Sequence, residues 1–226
     1  MKLRAPMKLS EKTINLLKNF SDINQSILFK KGNKLRTISV MKNILAEADI
    51  PEDFPKDFGI YDLNQFLRGV FLHHQPELDF ANDGHVVIRE GKTRSKYFFA
   101  DPSVIVTPPD KELTLPTTDV EFDLSTEQLD KVRKAVLAFQ LPDLSVVGEA
   151  GVVKLVVHDK KNDTSNDFQV IVGETESEFC FNFKVENIKI LPGSYHVAIS
   201  SKLLSRFTNN DYDLTYYIAL EPDSAF

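Results

Sequence analysis

The chain has 226 residues, 42% of them apolar, and a net charge of −6 at pH 7; this is enough apolar material for one large or two modest hydrophobic cores. A membrane-spanning helix needs about 18 consecutive apolar residues, and no such run occurs, so none is predicted. The single cysteine, Cys180, excludes an intrachain disulfide and favours a reducing compartment. The net negative charge disfavours binding to nucleic acid only if the basic residues are evenly spread over the surface.

The first predicted helix begins at Ser10, a residue type that caps helix N-termini by accepting a backbone N–H bond. The segment 26–40 then predicts a β-hairpin that turns near Gly32, and 43–50 predicts a further strand. The apolar stripe of the helix consists of Ile14, Leu17 and Phe20, with Leu16 beside it.

A second helix is predicted after a short strand at 57–61. Asp62 is its expected N-cap, and Gln65 stands at the position that completes a capping box. The segment 77–91 predicts a hairpin, because its centre, Asn82-Asp83-Gly84, is typical of tight turns. A strand at 94–101 follows. The predicted buried face of the second helix is Leu63, Phe66, Leu67 and Val70.

The stretch Asp101–Asp119 interrupts this pattern with four prolines, Pro102, Pro108, Pro109 and Pro116. Proline lacks an amide donor and restricts the residue before it, so regular structure is unfavourable here. We therefore predict an extended connector at 102–119 between an N-terminal domain, 1–101, and a C-terminal domain, 120–226.

The second half repeats the order of the first. A strand at 120–124 precedes a helix capped by Ser125, with Gln128 at the capping-box position and an apolar stripe of Leu129, Val132, Val136 and Phe139. A second, short helix is predicted at Val185–Leu191, ended by Pro192-Gly193. The other predicted strands lie at 145–159 (a hairpin around Gly148–Gly151), 167–173, 179–183, 194–201 and 212–222.

The two halves can be aligned, with Leu9-Ser10 on Leu124-Ser125 and Asp101-Pro102 on Glu221-Pro222. We interpret this as a duplicated unit. Each copy is expected to place helices on one face of antiparallel sheets, which makes the fold class α+β.

Nine local strings follow one another along the chain: MKLS at 7–10, LLKNF at 16–20, INQSI at 23–27, AEADI at 46–50, IYDLNQFL at 60–67, ADPS at 100–103, FNF at 181–183, LPGSY at 191–195 and ALEPDS at 219–224. Their order and spacing over residues 7–226, connector included, rather than any single string, resemble those of the DNA sliding clamps of T4-type bacteriophages. Residues 1–6 have no counterpart in that family and are assigned no role.

The resemblance implies the DNA-clamp fold, in which two similar domains place antiparallel sheets outside and two helices each inside a closed ring of three subunits. Such a ring encircles duplex DNA without reading its sequence and tethers the replicative DNA polymerase as a processivity factor. It is loaded by an ATP-driven clamp loader and also serves late-transcription factors. The resemblance further implies action in the cytoplasm of the infected bacterial host, with no cofactor, no metal and no membrane partner.

Basic residues occur on the polar side of every predicted helix, although the chain is acidic overall. If the helices share one surface, that surface is basic and suits the phosphates of a threaded duplex. The alternative is that these are ordinary solvated helix faces, and the sequence leaves both open. The candidate DNA-facing residues are Lys12, Lys18, Arg68, Lys131, Arg133, Lys134, Lys184 and Lys189.

Two apolar strands are candidates for the free edges at which subunits meet, and pairing them head to tail generates a ring if the rotation closes. The alternative is that each strand is covered by its own domain. The connector and Pro222 are further expected to border an apolar groove for a partner peptide, or the connector packs on its own sheet. The interface candidates are Tyr97, Phe98, Phe99, Phe168, Val170 and Val172, and the groove candidates are Val104, Ile105, Val106 and Pro222.

Signals for catalysis are weak. The sequence has no phosphate-binding G-x-x-x-x-G-K-[ST] loop and no H-E-x-x-H pair, and the adjacent His73 and His74 cannot share a helix face. We therefore predict a non-catalytic protein. The competing hypothesis is a two-domain α+β enzyme or carrier with a small-ligand site at the domain junction; the mass in solution distinguishes an assembled ring from a compact monomer.

Overall fold

The computed structural model describes residues 6–209 and 211–226. It divides into two compact units, Met1–Asp110 and Lys111–Phe226. Residues 1–5, which belong to the segment without an assigned role, lie outside the described residues. No helix in the described part of the chain is long and apolar enough to cross a membrane.

The described residues of the first unit, from residue 6 onward, contain two α-helices and seven strands. Strands β5, β6 and β7 form a three-stranded antiparallel sheet in that order. Its elements are α1 (Glu11–Ile23), β1 (Ile27–Phe29), β2 (Gly32–Ile38), β3 (Ile44–Phe54), β4 (Phe58–Ile60), α2 (Leu63–Val70), β5 (Glu77–Asp79), β6 (His85–Glu90) and β7 (Thr93–Phe98), followed by a 3-10 turn, Pro102–Val104.

The second unit contains one α-helix and eight strands among its described residues. Four strands form a sheet in the order β11-β10-β9-β12, and four more are neighbours in the order β15-β14-β13-β8. The elements are β8 (Val120–Leu124), α3 (Thr126–Phe139), β9 (Asp143–Glu149), β10 (Val152–His158), β11 (Phe168–Glu174), β12 (Phe179–Lys184), β13 (Tyr195–Ser200), β14 (Leu204–Asn209) and β15 (Leu214–Ala219).

Helix α1 begins where its sequence indicates. The Ser10 hydroxyl accepts the N–H of Thr13, which confirms the predicted cap. Glu52 of β3 accepts the Ser10 N–H and the Thr13 hydroxyl, and so joins the start of the helix to the sheet. Leu17 and Phe20 are fully buried as predicted, and Leu16, expected beside the stripe, is equally buried.

The predicted hairpin around Gly32 is wrong. Strand β1 pairs with β4, and β2 pairs with β3. The β1–β4 pairing stacks Phe29 on Phe58 with ring centroids 4.5 Å apart, and such aromatic pairs stabilise more than their buried area alone. The true hairpin turns between β2 and β3, where the Ser39 hydroxyl accepts the N–H groups of Asn43 and Ile44.

The second helix and the hairpin that follows it are confirmed. Asp62 accepts the Gln65 N–H at 2.8 Å and caps α2. In the β5–β6 turn, Asn82 accepts the N–H of Gly84 at 2.9 Å. Strand β7 pairs with β6 along one edge, which makes it the end strand of its sheet.

Helix α3 has the predicted reciprocal capping box between Ser125 and Gln128. Its buried face is shifted from the expected one, because Leu129, Val132 and Ala135 are buried whereas Phe139 is exposed. The helix ends directly after Phe139, with Gln140 in the left-handed conformation, so Phe139 lies beyond the part of the helix that packs on the sheets.

The predicted fourth helix is wrong. Only Val185–Asn187 is helical, as a single 3-10 turn. The segment is rich in β-branched residues, which lose side-chain freedom in an α-helix. It instead runs without regular structure to bury Ile190, whose carbonyl accepts a bond from the Arg133 guanidinium of α3.

Gly148 of β9 and Gly69 of α2 allow a tightly packed glycine to be compared with a loosely packed one. A Cβ at Gly148 would overlap the Phe179 ring on the paired strand, whereas a Cβ at Gly69 would be 3.9 Å from Ile88. We expect Gly148→Ala to lower the free energy of unfolding by about 1–3 kcal/mol through overpacking. Gly69→Ala should raise it by about 0.5–1 kcal/mol, because alanine favours helix. Urea denaturation of both variants measures this, and equal effects would contradict the packing described.

Candidate nucleic-acid and subunit interfaces

Four of the eight candidate DNA-facing cations are exposed: Lys18 on α1, Arg68 on α2, and Lys131 and Lys134 on α3. Lys18 lies over the Phe71 ring, with Nζ 5.0 Å from the centroid. Lys131 pairs with Glu127 one helical turn away at 2.7 Å and lowers the pKa of that carboxyl. Exposed pairs of this kind contribute little to stability, so the cations stay accessible to an anion.

The other four, Lys12, Arg133, Lys184 and Lys189, are half-buried. Arg133 donates to the Ile190 carbonyl, and Lys184 forms an ion pair with Asp143 of β9. These two cations are therefore used within the second unit. The sequence could not show this, because the partners are 57 and 41 residues away.

Asp143 is only 1% exposed. Burial by itself would raise its pKa, but hydrogen bonds from the Lys184 ammonium and the Lys160 N–H outweigh that effect and hold the pKa below its ordinary value. The same pairing raises the pKa of Lys184. Lys184 is thus a structural cation.

Strand β7 is the first of two end strands that contain interface candidates. Tyr97 is half-buried, donates to the Asp62 carbonyl at 3.0 Å and packs edge-on against Phe66. Phe99 is also half-buried and contacts the Phe58 ring. Phe98 alone among the three points outward, with 70% of its surface exposed. The outward face of β7 also carries Arg94 and Lys96.

Strand β11 is the end strand of its sheet and pairs with β10. The three β11 candidates, Phe168, Val170 and Val172, are all half-buried. The exposed apolar residue is Ile171, at 60%, which sequence reasoning missed although strict alternation places it on the face opposite Val170. Acidic residues surround this strand at Asp167, Glu174, Glu176 and Glu178, all exposed.

A concave surface, which encloses a volume of ≈ 690 Å³, lies beside β7. Its wall combines the outward face of β7 with the exposed side of α2, and its main side chains are Tyr61, Gln65, Arg68, Leu72 and Phe98. The surface is largely apolar and carries two cations, Arg68 and Lys96, which suits a protein segment.

Two family models match the chain, DNA polymerase processivity factor over residues 8–107 and gp45 sliding clamp, C terminal, over residues 121–222. The sliding clamp of Vibrio phage KVP40 is 36% identical over 222 residues, covering 95% of this chain and 99% of the relative. That of Escherichia phage RB69 is 30% identical, covering 96% and 98%. The chain belongs to the sliding-clamp family. Its function is that of a DNA polymerase processivity factor in replication, as the resemblance implied.

Solved structures agree on the fold. The PCNA of A. fulgidus, solved with the C-terminal region of FEN-1 bound, superposes with a TM-score of 0.72 at 14% identity, covering 98% of this chain and all of that one (100%). The PCNA of Entamoeba histolytica gives 0.70 at 15% identity, covering 95% and 97%. These confirm the predicted α+β clamp fold.

The groove candidates of this clamp differ in exposure. In the connector, Val104 is 57% exposed and Val106 half-buried, whereas Ile105 is only 7% exposed because its side chain packs against Gly59 of β4. The Arg36 guanidinium donates to the Pro109 carbonyl at 2.8 Å and holds the later part of the segment. Pro222 is exposed.

The histidine pair has a packing role in the clamp. His73 is buried, and its ring nitrogens lie 3.2 Å from the Thr93 hydroxyl and 3.4 Å from the Ser95 hydroxyl. Glu90 accepts the backbone N–H groups of His74 and Gln75, and these bonds lower its pKa. Across residues 6–209 and 211–226, no three His, Cys, Asp or Glu side chains cluster closely enough to hold a metal ion.

The pair of Lys184 and Asp143 generates a stability prediction. Lys184→Met leaves a buried carboxylate without its main partner, and we expect the free energy of unfolding at pH 7 to fall by about 3 kcal/mol. Lys134→Met, on an exposed helix face, should change it by less than about 0.5 kcal/mol. Chemical denaturation of the two variants compares them directly.

The same variants have a defined pH dependence. The folded-state pKa of Asp143 is depressed, so its ionised form stabilises the fold above its unfolded pKa of about 4. This contribution is lost as the pH falls through the folded pKa. The difference between the wild type and Lys184→Met should therefore narrow below pH about 4. A difference that is constant with pH would show that Lys184 stabilises through packing alone.

Proposed function

We propose that three copies of this chain close into a ring around duplex DNA and tether the replicative DNA polymerase. The ring is loaded by an ATP-driven clamp loader, also serves late-transcription factors, and acts in the cytoplasm of the infected bacterial host. It has no catalytic chemistry and needs no cofactor. Each subunit consists of two clamp domains, 1–101 and 120–226, joined by the 102–119 connector. Membership in the sliding-clamp family favours this function over the small-ligand enzyme or carrier.

The observation that carries the proposal is the complementarity of the end strands β7 and β11. The outward face of β7 carries two cations and Phe98, and β11 carries Ile171 next to a group of carboxylates. Two sheet edges of this kind, one apolar and basic and the other apolar and acidic, attract one another and repel their own copies. A head-to-tail contact between different surfaces leaves a free edge at each end until a ring closes.

The exposed side chains also favour one register. Strand β11 has an extra residue at Val172, because Val153 and Lys154 of β10 pair with Gly173 and Ile171. If the strands pair antiparallel with Phe98 opposite Ile171, Lys96 therefore lies opposite Glu174 and Arg94 opposite Glu176. This register matches apolar with apolar and cation with anion, so we propose it for the contact between subunits. The apolar part of the concave surface, at Leu72 and Phe98, receives the side chains that follow β11.

Guidance along DNA is assigned to the exposed cations of the helices, Lys18, Arg68, Lys131 and Lys134. Lysine and arginine contacts to phosphates are independent of base sequence and are weakened by salt. They therefore allow a duplex to slide while enclosure, rather than affinity, retains it. Lys12 and Lys189 are half-buried and remain secondary candidates for the same role. The acidic remainder of the chain limits non-specific binding elsewhere.

We assign the partner groove to the connector residues Val104 and Val106. Ile105 does not line the groove, because its side chain is buried and anchors the connector to β4. The prolines around it keep the connector extended, which reduces the entropy lost when a peptide binds. The polymerase would then be held by a short tail without obstructing the hole.

A charge exchange tests the ring contact. The variant Arg94→Glu/Lys96→Glu places like charges at the contact, and sedimentation should show dissociation towards the 25.7 kDa monomer. Adding Glu174→Lys and Glu176→Lys to the same chain restores opposite charges and should restore assembly. Lys42→Glu, on the β2–β3 turn, is the control. Assembly that is insensitive to the first exchange, or not rescued by the second, would remove these strands from the contact.

A second experiment tests the DNA-facing surface. Lys131→Glu/Lys134→Glu should leave folding and assembly intact, shorten retention on primed DNA, lower polymerase processivity and flatten its salt dependence. Lys161→Glu/Lys202→Glu changes the net charge equally at exposed sites off the helices. Equal losses in both variants would mean that net charge matters and that α3 does not face the duplex.

A further inference from the structure

Strand β12 is also an end strand, but its outer edge is occupied by the chain itself. Ala225 exchanges two backbone hydrogen bonds with Cys180, at 2.9 and 2.8 Å. Asn182 completes the edge, since its carbonyl accepts the Glu221 N–H at 2.8 Å and its N–H donates to the Ser224 hydroxyl at 2.9 Å. The 221–226 segment therefore binds the edge of β12 through a turn at Glu221–Ser224 and an isolated β-bridge at Ala225.

An ion pair between Asp223 and Lys160 also holds this segment in place. Asp223 accepts bonds from the Lys160 ammonium at 2.8 and 3.1 Å, and Lys160 holds the pKa of that carboxyl below its ordinary value. The Asn182 amide donates to the Asp223 carboxylate at 3.2 Å. Lys160 is largely covered and Asn182 is buried. Lys160 and Asn182 are thus part of the folded unit, whereas Asp223 itself is exposed.

The buried side of the contact is held in one orientation. The Ser145 hydroxyl donates to Asn182 Oδ1 at 2.6 Å and lies 2.8 Å from His158 Nε2. Because its proton is directed to Asn182, Ser145 accepts the second bond from the Nε2–H group of the His158 ring. The bond to Oδ1 leaves the amide nitrogen of Asn182 facing Asp223. The donor is therefore preorganised for a carboxylate.

An aromatic contact completes the site. The ring of Phe226 is stacked on Phe181, with centroids 5.9 Å apart and planes 12° apart, and it also lies near Phe179. Phe226 nevertheless leaves 58% of its surface exposed. Phe179 and Phe181 belong to the core of the unit, so the platform persists if Phe226 leaves.

We propose that the outer edge of β12, with Lys160, Asn182, Phe179 and Phe181, is a peptide-binding site whose present occupant, the 221–226 segment, is an internal competitor. The external ligand is a segment of a partner protein with a carboxylate side chain followed three residues later by an aromatic one. Backbone hydrogen bonds to the strand edge supply affinity, and the two side-chain contacts supply specificity. This site is separate from the end strands assigned to the ring and does not rest on the proposed function.

The internal segment has the properties of a displaceable ligand. Most of its side chains are exposed. It is held by three backbone–backbone hydrogen bonds, the bond from the Asn182 N–H to the Ser224 hydroxyl, the bonds from the Asn182 amide to Asp223, one ion pair and the ring contacts of Phe226. Tethering gives it an effective concentration of roughly millimolar. A partner segment with better contacts, or one that is itself tethered at a second site, displaces it.

The test uses the full chain and the capped synthetic peptide EPDSAF with a fluorescent label. In Asp223→Lys/Phe226→Ala the internal competitor is disabled, because residue 223 now repels Lys160 and the aromatic contact is gone. Fluorescence anisotropy should show saturable binding of the peptide to this variant. Binding to the wild type should be at least about tenfold weaker, because the segment competes at an effective concentration of roughly millimolar.

Matched controls define the chemistry. Adding Lys160→Met to the disabled variant should abolish peptide binding, whereas adding Lys161→Met at the exposed neighbouring lysine should leave it unchanged. Peptides with Asn for Asp or Ala for Phe should bind markedly more weakly. A folded variant that binds no peptide at several times the millimolar tether concentration, or binds all three peptides equally, would overturn the proposal. Sedimentation of the same samples reports assembly separately, so failure of the ring and failure of this site are distinguishable.

Discussion

The open edge of a β-sheet is the constraint on which the rest of this structure depends. An end strand presents a row of backbone N–H and C=O groups that must find partners. The chain provides partners for these backbone groups in two ways. On β12 the partner is the 221–226 segment of the same unit. On β7 and β11 the exposed side chains are complementary between the strands, which is the arrangement that copies of one chain need in order to pair with each other.

The distribution of charge follows from the same arrangement. The net charge of −6 is unevenly distributed: the helix faces and strand β7 are basic, whereas the surroundings of β11 are acidic. Cations whose partners are buried carboxylates, such as Lys184 with Asp143, serve the fold. Cations such as Lys134, on an exposed helix face, are the ones available to phosphates. Burial of the partner, rather than position on the chain, separates the two roles.

Local signals in the sequence predicted what depends on near neighbours. The caps at Ser10, Asp62 and Ser125 were correct because each needs only a side chain and an N–H three residues ahead. The hairpin at Gly32 failed because β1 finds a better partner in β4 through the stacking of Phe29 on Phe58. The helix predicted after Lys184 failed because burial of Ile190 requires a more extended chain.

The sequence by itself therefore determined the family, the α+β class and the helix caps, since all of these follow from local patterns and their order. It offered the strands that became β7 and β11 only as candidate sheet ends. Tertiary structure alone decided which side of β11 is outward, and so identified Ile171 rather than Val170 as exposed. It also decided that Ile105 is an anchor, that Lys184 is committed to Asp143, and that Asp223 and Phe226 contact β12. Each of these depends on residues more than 40 positions apart or on which face of a strand its own sheet covers, and neither quantity is encoded in the local sequence.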